Sequence, residues 1–264
     1  MNEPLLKVII ELLAMLSNIE NFTSQKLVLP FAQLQENLEE KIKNLMARKS
    51  LVQWYLNQEI SAADMPKYIK IYDNLMESAY QISVEENQIE IAPFDYKRVY
   101  QLAELLNGGL NLRQKLMVFV RLMEYVLVDL KRKEKALPVF LILAEKLNIN
   151  NEYVDDVLSF LTATENNIPP NNNLLFVDDT CQTNISGSDE DYKSLNAHGF
   201  REKLLLLNIP DVPFLFLKYF RAGLSLNGHI ISPNRTYSFT PGSKLTSSDG
   251  HLLYFSILKS HFIN

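Results

Sequence analysis

With 264 residues, 47% of them apolar, the chain can bury one large core or two smaller ones. Its formal net charge of -5 and pI near 5.5 supply no basic field for a phosphate backbone, which argues against nucleic-acid binding. The single cysteine, Cys181, can form neither an internal disulfide nor a thiolate zinc site, and fits a reducing, cytoplasmic location.

The opening MNEPLLKVIIELLAML is apolar, yet Lys7 and Glu11 interrupt it, and no basic leader or small-residue cleavage site accompanies it. Its Leu5, Ile9, Leu12, Leu13 and Leu16 share one helical face. Further helices are expected over 31–48, 48–57, 62–80 and 95–107. Ser61 or Ala62 opens one of these, with Asp64 and Pro66 in its first turn, and Asn107-Gly108-Gly109 ends another. Lys41, Lys43, Arg48 and Lys49 read as a solvated charged face balanced by Glu36, Glu39 and Glu40. Trp54, Tyr55, Tyr68, Tyr72 and Tyr80 read as core aromatics.

The polar, partly alternating stretch 82–93 reads as a loop between two helical halves. Leu116, Phe119, Val120, Met123, Val126 and Leu127 then mark one helix. Leu137, Phe140, Leu141, Ala144 and Leu147 mark the next, with Pro138 assigned to its first turn. A last helix runs through Tyr153, Val154, Val157, Leu158 and Leu161, capped by Asn150 or Asn151. Asp155 and Asp156 near its start complement the helix dipole. No segment has the roughly 18 uncharged apolar residues of a membrane span.

The composition changes near residue 165. Before it the only glycines are Gly108 and Gly109; after it come six more and all four histidines. The polar, proline-bearing stretch 165–173 reads as a linker between a helical domain, 1–164, and a small β domain, 174–264. Strands are expected over 174–177, 204–207, 214–220, 224–226, 229–231, 235–239 and 252–257. Asn227-Gly228 is a strong hairpin signal. Pro241-Gly242 with Ser243 to Thr246 reads as a turn, and 180–199 as a polar surface loop.

The chemistry-bearing motifs are sparse. The chain contains no phosphate-binding loop, nucleophile elbow or His-Glu-x-x-His helix, and His198, His229, His251 and His261 do not fall at metal-ligand spacing. Catalytic residues and cofactors are therefore expected to be absent. One acidic constellation, Glu124, Asp129 and Glu134, flanks an inter-helix turn and offers oxygen ligands to a hard cation, with Asp129 and Glu134 the metal candidates. Lys131, Arg132, Lys133 and Lys135 in the same turn would repel that cation, so a charged turn with local ion pairs is the preferred reading.

The segments LRQKLMVFVRLMEYVLVDL, KEKALPVFLILAEKLNI and EYVDDVLSFL resemble the TerB-like helical domains of bacterial tellurite-resistance proteins. The resemblance places Asp129 and Glu134 near that family's acidic positions, although Leu130 stands where the family has glycine. The opening LLKVIIELLAMLSNIE is similar to the first half of such a domain, its acidic turn degraded to Asn18, Ile19 and Glu20. LSLNGHIISPNRTYSFTPGSKLTS resembles the closing strands of a forkhead-associated (FHA) β-sandwich through Asn227, Gly228 and Gly242. The phosphothreonine-holding elements of that family are echoed only partly, by Ser194 to His198.

In this order, ending in LLYFSILKSHF, the parts are similar to the N-terminal region of large bacterial ABC transporter ATP-binding proteins. The resemblance implies an α+β chain: an all-α TerB-like bundle, then a small FHA-type sandwich. It implies a non-catalytic, cytoplasmic regulatory region whose partner is an adjacent ATP-binding cassette, with other cytoplasmic proteins as further partners and no span in this segment. The alternatives are a free-standing TerB-like stress protein holding a metal ion and a phosphopeptide-binding module.

Overall fold

The structure, a computed structural model, describes residues 2–19, 21–22, 25–30, 38–83, 85–86, 88–180, 192–221 and 223–263. Cys181, Glu20, Glu36 and most of the loop expected over 180–199 lie outside the described residues. The chain is α+β and divides into two compact units, Met1–Asn150 and Asn151–Asn264. No helix among the described residues is long and apolar enough to cross a membrane.

The first unit holds α1 (Glu3–Leu16), β1 (Leu27–Pro30), α2 (Leu38–Glu59), α3 (Met65–Ala79), β2 (Tyr80–Ser83), β3 (Gln88–Ile91), α4 (Tyr96–Gly109), α5 (Leu112–Val126), a 3-10 turn (Leu130–Arg132) and α6 (Lys133–Lys146). Helix α1 starts where the Asn2 side chain accepts from the Leu5 N–H, with a proline just inside. It packs on α3, α4 and α5, which explains why it is apolar nearly all round. Leu12 and Leu16 are fully enclosed, and each such burial contributes about 1.5–3 kcal/mol. Helix α5 opens with a reciprocal capping box between Asn111 and Gln114, and Phe119 meets Phe140 of α6 edge-on at 5.7 Å.

Three expectations for this unit need correction. It is not all-α, because β1, β3 and β2 form a three-stranded antiparallel sheet. The stretch taken as a loop alternates Gln88-Ile89-Glu90-Ile91 at period two, which suits a half-buried strand. The helices expected over 31–48 and 48–57 meet in one continuous α2 across residue 48, since nothing there breaks the helix. Pro138 lies inside α6 rather than in its first turn. The Glu134 carbonyl loses its i+4 donor there; Glu134 and Pro138 are both exposed.

The second unit begins with α7 (Glu152–Thr162), followed by β4 (Leu174–Asp178), β5 (Lys193–Asn196), β6 (Leu204–Asn208), β7 (Leu215–Tyr219), β8 (Ser225–Leu226), β9 (His229–Ile230), β10 (Tyr237–Phe239), β11 (Lys244–Thr246), β12 (Leu252–Tyr254) and α8 (Phe255–Ser260). One sheet has the order β10-β7-β6-β4-β5 and the other β12-β11-β8-β9. All pairs are antiparallel except β4 with β5. Leu175, Val177, Leu204, Leu206, Leu215 and Leu217 point from the first sheet into a core shared with Leu245 of the second and Phe255 and Leu258 of α8.

The alternate residues of β4, β6 and β7 are buried as well. Leu174, Phe176, Leu205, Leu207 and Phe216 lie on the opposite face, where α7 packs on β6 and Phe160 stands 6.5 Å from Phe216. Lys218, on the same face, donates from Nζ to the carbonyls of Leu161 (2.9 Å) and Ala163 (2.8 Å). A cation is thereby set on carbonyls of the last turn and C-cap of α7.

Helix α7 thus belongs to the second unit, whereas sequence grouping placed it in the helical domain. The stretch 165–173, read as a linker, is fastened to that helix: Asp156 accepts from Asn171 (2.8 Å) and Asn173 (3.0 Å). Three local corrections follow from pairing. Residues 193–196 form β5 rather than loop, because parallel pairing to β4 brings Leu195 against the core. Lys244–Thr246 is a strand between β8 and β12 rather than part of a turn. The run 252–257 is a strand only to Tyr254, where Phe255 turns inward to begin α8.

Replacing Lys218 by Met removes the donor to the Leu161 and Ala163 carbonyls and is expected to cost about 2 kcal/mol. Urea unfolding of the second unit, followed by its strand signal, checks this; an unchanged midpoint contradicts it.

Candidate functional site

The acidic turn is the natural place to look for metal chemistry. Its three carboxylates do not converge. Glu124 accepts a hydrogen bond from the Tyr55 hydroxyl at 2.7 Å. Asp129 accepts from the Lys131 N–H at 3.2 Å, capping the 3-10 turn, and its other oxygen lies 3.4 Å from Arg132 Nε. Glu134 is exposed in the first turn of α6, where its charge complements the helix dipole. Among the described residues, no group of three or more His, Cys, Asp or Glu is placed to hold a metal ion.

The charge of this turn is directed inward as much as outward. Lys131 reaches out to Glu40 at 2.8 Å, but Arg132 is 8% exposed and donates from Nη1 to the Ser17 carbonyl at 2.7 Å. Tyr80 donates to the same carbonyl at 2.6 Å. The end of α1 is thus tied to the turn before α6 and to the start of β2.

Beside Arg132 is a second buried guanidinium. Arg48, on α2, is only 1% exposed, and its Cζ lies 5.7 Å from the centroid of the Tyr125 ring. The Tyr125 and Tyr72 hydroxyls are 2.8 Å apart. Burial, and next the like charge of Arg132, lower the Arg48 pKa. Burial pushes Tyr72 up to about 12 and Tyr125 well above its ordinary value. Sequence reading assigned Arg48 to a solvated face, and that assignment is overturned. Leu51, Val52 and Tyr55 follow Arg48 at the third, fourth and seventh positions and are all buried, so the residue stands on the apolar stripe.

Elsewhere in this unit a void of about 20 Å³ lies among Leu6, Ile10, Val52, Leu56 and Val118, lined also by Glu59 and Arg121. It has room for about one water molecule and none for an organic substrate.

In the second unit, loop residues Gly199 and Glu202, Gly223, and Ser248 and His251 meet beside one another. Glu202 is buried there, and one carboxylate oxygen accepts from both the N–H and the hydroxyl of Ser248 at 3.2 Å. Gly199 has φ +79°, and a Cβ at this position would stand 2.8 Å from the His251 ring. The backbone conformation favours glycine here. Cations of the same loops face carboxylates: Lys203 lies 3.5 Å from Asp178, Arg221 3.2 Å from Glu165 and Arg201 4.0 Å from Asp249. Ser194, part of the partial phosphothreonine echo, is buried in β5, while His198 is exposed.

Among the described residues, the outer face of the four-stranded sheet exposes apolar side chains at its edges. Register places Leu252, Thr246, Ser225 and Ile230 in one row across it, with Tyr254 and Lys244 in the next. The inner row, Leu253, Leu245 and Leu226, packs on the core, so the outer row faces solvent. Ile230 is 88% exposed, and Leu252 and Tyr254 are also exposed. Ile230 and Leu252 sit on the two edge strands, β9 and β12. The chain matches no family model, no curated protein and no solved structure.

The phenol pair predicts a pH dependence. Burial disfavours tyrosinate, so at about pH 10–12 the unfolded chain releases protons that the folded chain keeps. The stability contributed by Tyr72 is present in full below about pH 10 and is lost as pH rises toward 12. Urea midpoints measured through this range should fall more steeply for the unaltered protein than for Tyr72→Phe. Equal slopes would contradict the assignment.

Proposed function

We propose that residues 1–264 are a non-catalytic regulatory and interaction region of a bacterial ABC transporter ATP-binding protein. In this reading the helical unit is TerB-like, the β unit is FHA-like, and the partner is an ATP-binding cassette in the same polypeptide. The observation that carries the proposal is the exposure of large apolar residues on both edge strands of the four-stranded sheet, Ile230 on β9 and Leu252 and Tyr254 on β12. Large apolar residues exposed on edge strands suit contact with another protein. Further support comes from the order of the parts, helical and then β, and from the Asn227-Gly228 turn, with φ of 53° and 86°, joining β8 to β9.

The mechanism is differential contact. A region outside the cassette alters its cycle only by binding one conformational state better than another, because equal contact shifts no equilibrium. A coupling of about 1–3 kcal/mol, typical of allosteric systems, changes activity several-fold or more. The phosphopeptide alternative gains little support, since Arg201, Lys203 and Arg221 each face a carboxylate and Ser194 is buried.

The test compares ATPase activity of the full natural protein with a version lacking residues 1–264 and with an Ile230→Asp, Leu252→Asp variant. A several-fold change in both altered proteins is expected. Identical activity in all three, with each folded, would overturn the regulatory reading.

A further inference from the structure

Helix α2 carries apolar residues on two sides. Leu51, Val52, Tyr55 and Leu56 belong to its buried face. Ile42 and Met46 are 44% and 69% exposed, and their spacing sets them one turn apart on the other side. Glu39 stands one turn before Ile42 and Lys49 one turn after Met46, on the same stripe. Glu39 is exposed, whereas its neighbour Glu40 is taken up by Lys131 at 2.8 Å. Lys49 bonds to Asp73 of α3 at 2.8 Å and keeps 42% of its side chain exposed. Positions 39, 42, 46 and 49 have the alternating three-and-four spacing of a coiled-coil seam. An isolated exposed Ile or Met is ordinary on a protein surface. Here the pair lies between an acid at one end of the seam and a base at the other.

We infer that this seam is a self-association surface, on which α2 of a second copy lies antiparallel about a two-fold axis near Asn44. The charge order sets both the occupant and the direction. Antiparallel pairing brings Ile42 against Met46 of the partner subunit, and Met46 against Ile42 of the partner subunit. It also brings Glu39 against Lys49 of the partner subunit, and Lys49 against Glu39 of the partner subunit. Two layers of opposite charge then close two apolar layers, and the surface is complementary to itself. Parallel pairing would stack Glu39 on Glu39 of the partner subunit and Lys49 on Lys49 of the partner subunit, and like charges so placed repel. The seam spans about 15 Å of helix. A contact of that size belongs with weak, reversible interfaces rather than with permanent dimers. It is independent of the contact proposed for the β unit, since it uses only α2.

The test uses the whole chain in sedimentation equilibrium at micromolar to millimolar concentration. The unaltered protein should pass from 30.4 kDa toward twice that mass as concentration rises. Met46→Lys and Glu39→Lys, both at exposed positions, should fold as before and weaken the dimer about tenfold or more. The first puts a charge into both apolar layers, and the second turns both end layers into lysine pairs. Glu77→Lys makes the same change of charge at an exposed position of α3 and should leave the dimer unchanged. Direction is read by mild oxidation of Ile42→Cys mixed with Met46→Cys, each also carrying Cys181→Ser. The mixed disulfide should form faster than either self-disulfide. A protein that stays monomeric throughout, or a dimer as sensitive to Glu77→Lys as to Met46→Lys and Glu39→Lys, would overturn the surface. Self-disulfides that form faster than the mixed one would overturn the antiparallel pairing.

Discussion

Three strands that are apolar at nearly every position require a cover on each face. β4, β6 and β7 are buried from end to end, with Leu175, Leu206 and Leu217 on one side and Leu174, Leu205 and Phe216 on the other. The inner cover is the four-stranded sheet. The outer cover includes α7, whose Tyr153, Val154, Val157 and Phe160 form the apolar stripe that such a face needs. Lys218 then fixes where α7 ends, because a lysine in an otherwise apolar strand face can be buried only with acceptors for its N–H groups. The unit therefore begins at Asn151 and includes a helix that belongs, by composition, with the helices before it.

The helical unit is organised around charge taken inward. Arg132 leaves a turn crowded with lysines and reaches the Ser17 carbonyl, where Tyr80 also arrives. That carbonyl, just beyond α1, would otherwise be an unpaired acceptor in the interior. The carboxylates of the acidic turn have separate settings. Asp129 caps a 3-10 turn and faces the buried guanidinium, while Glu134 and Lys131 remain at the surface.

Much of the fold is legible in the sequence where local signals and tertiary needs agree. The helical stripes of α1, α5 and α7, the apolar runs of β4, β6 and β7 and the Asn227-Gly228 turn are all read directly. Legibility fails where partners lie far off in the chain. β5 is four residues whose strand character comes from a parallel neighbour reached after a long connection, and β1 to β3 form a small sheet from segments about sixty residues apart. The Asn-rich stretch before β4 looks like a linker because the acceptor that orders it, Asp156, is in the preceding helix. Arg48 was hidden by its own type: a basic residue among basic neighbours reads as surface, although its spacing to Leu51, Val52 and Tyr55 places it in the core. The outward row of Ile230 and Leu252 was not visible until strand register put the two residues on one face.

Whether α7 is part of the β unit is decided most directly by expressing two fragments, 151–264 and 174–264, and following urea unfolding of each. The two-face burial of β4, β6 and β7 predicts that 151–264 folds cooperatively, while 174–264, with its outer face stripped, aggregates or fails to show a cooperative transition. A fragment 174–264 as stable as 151–264 would contradict the account.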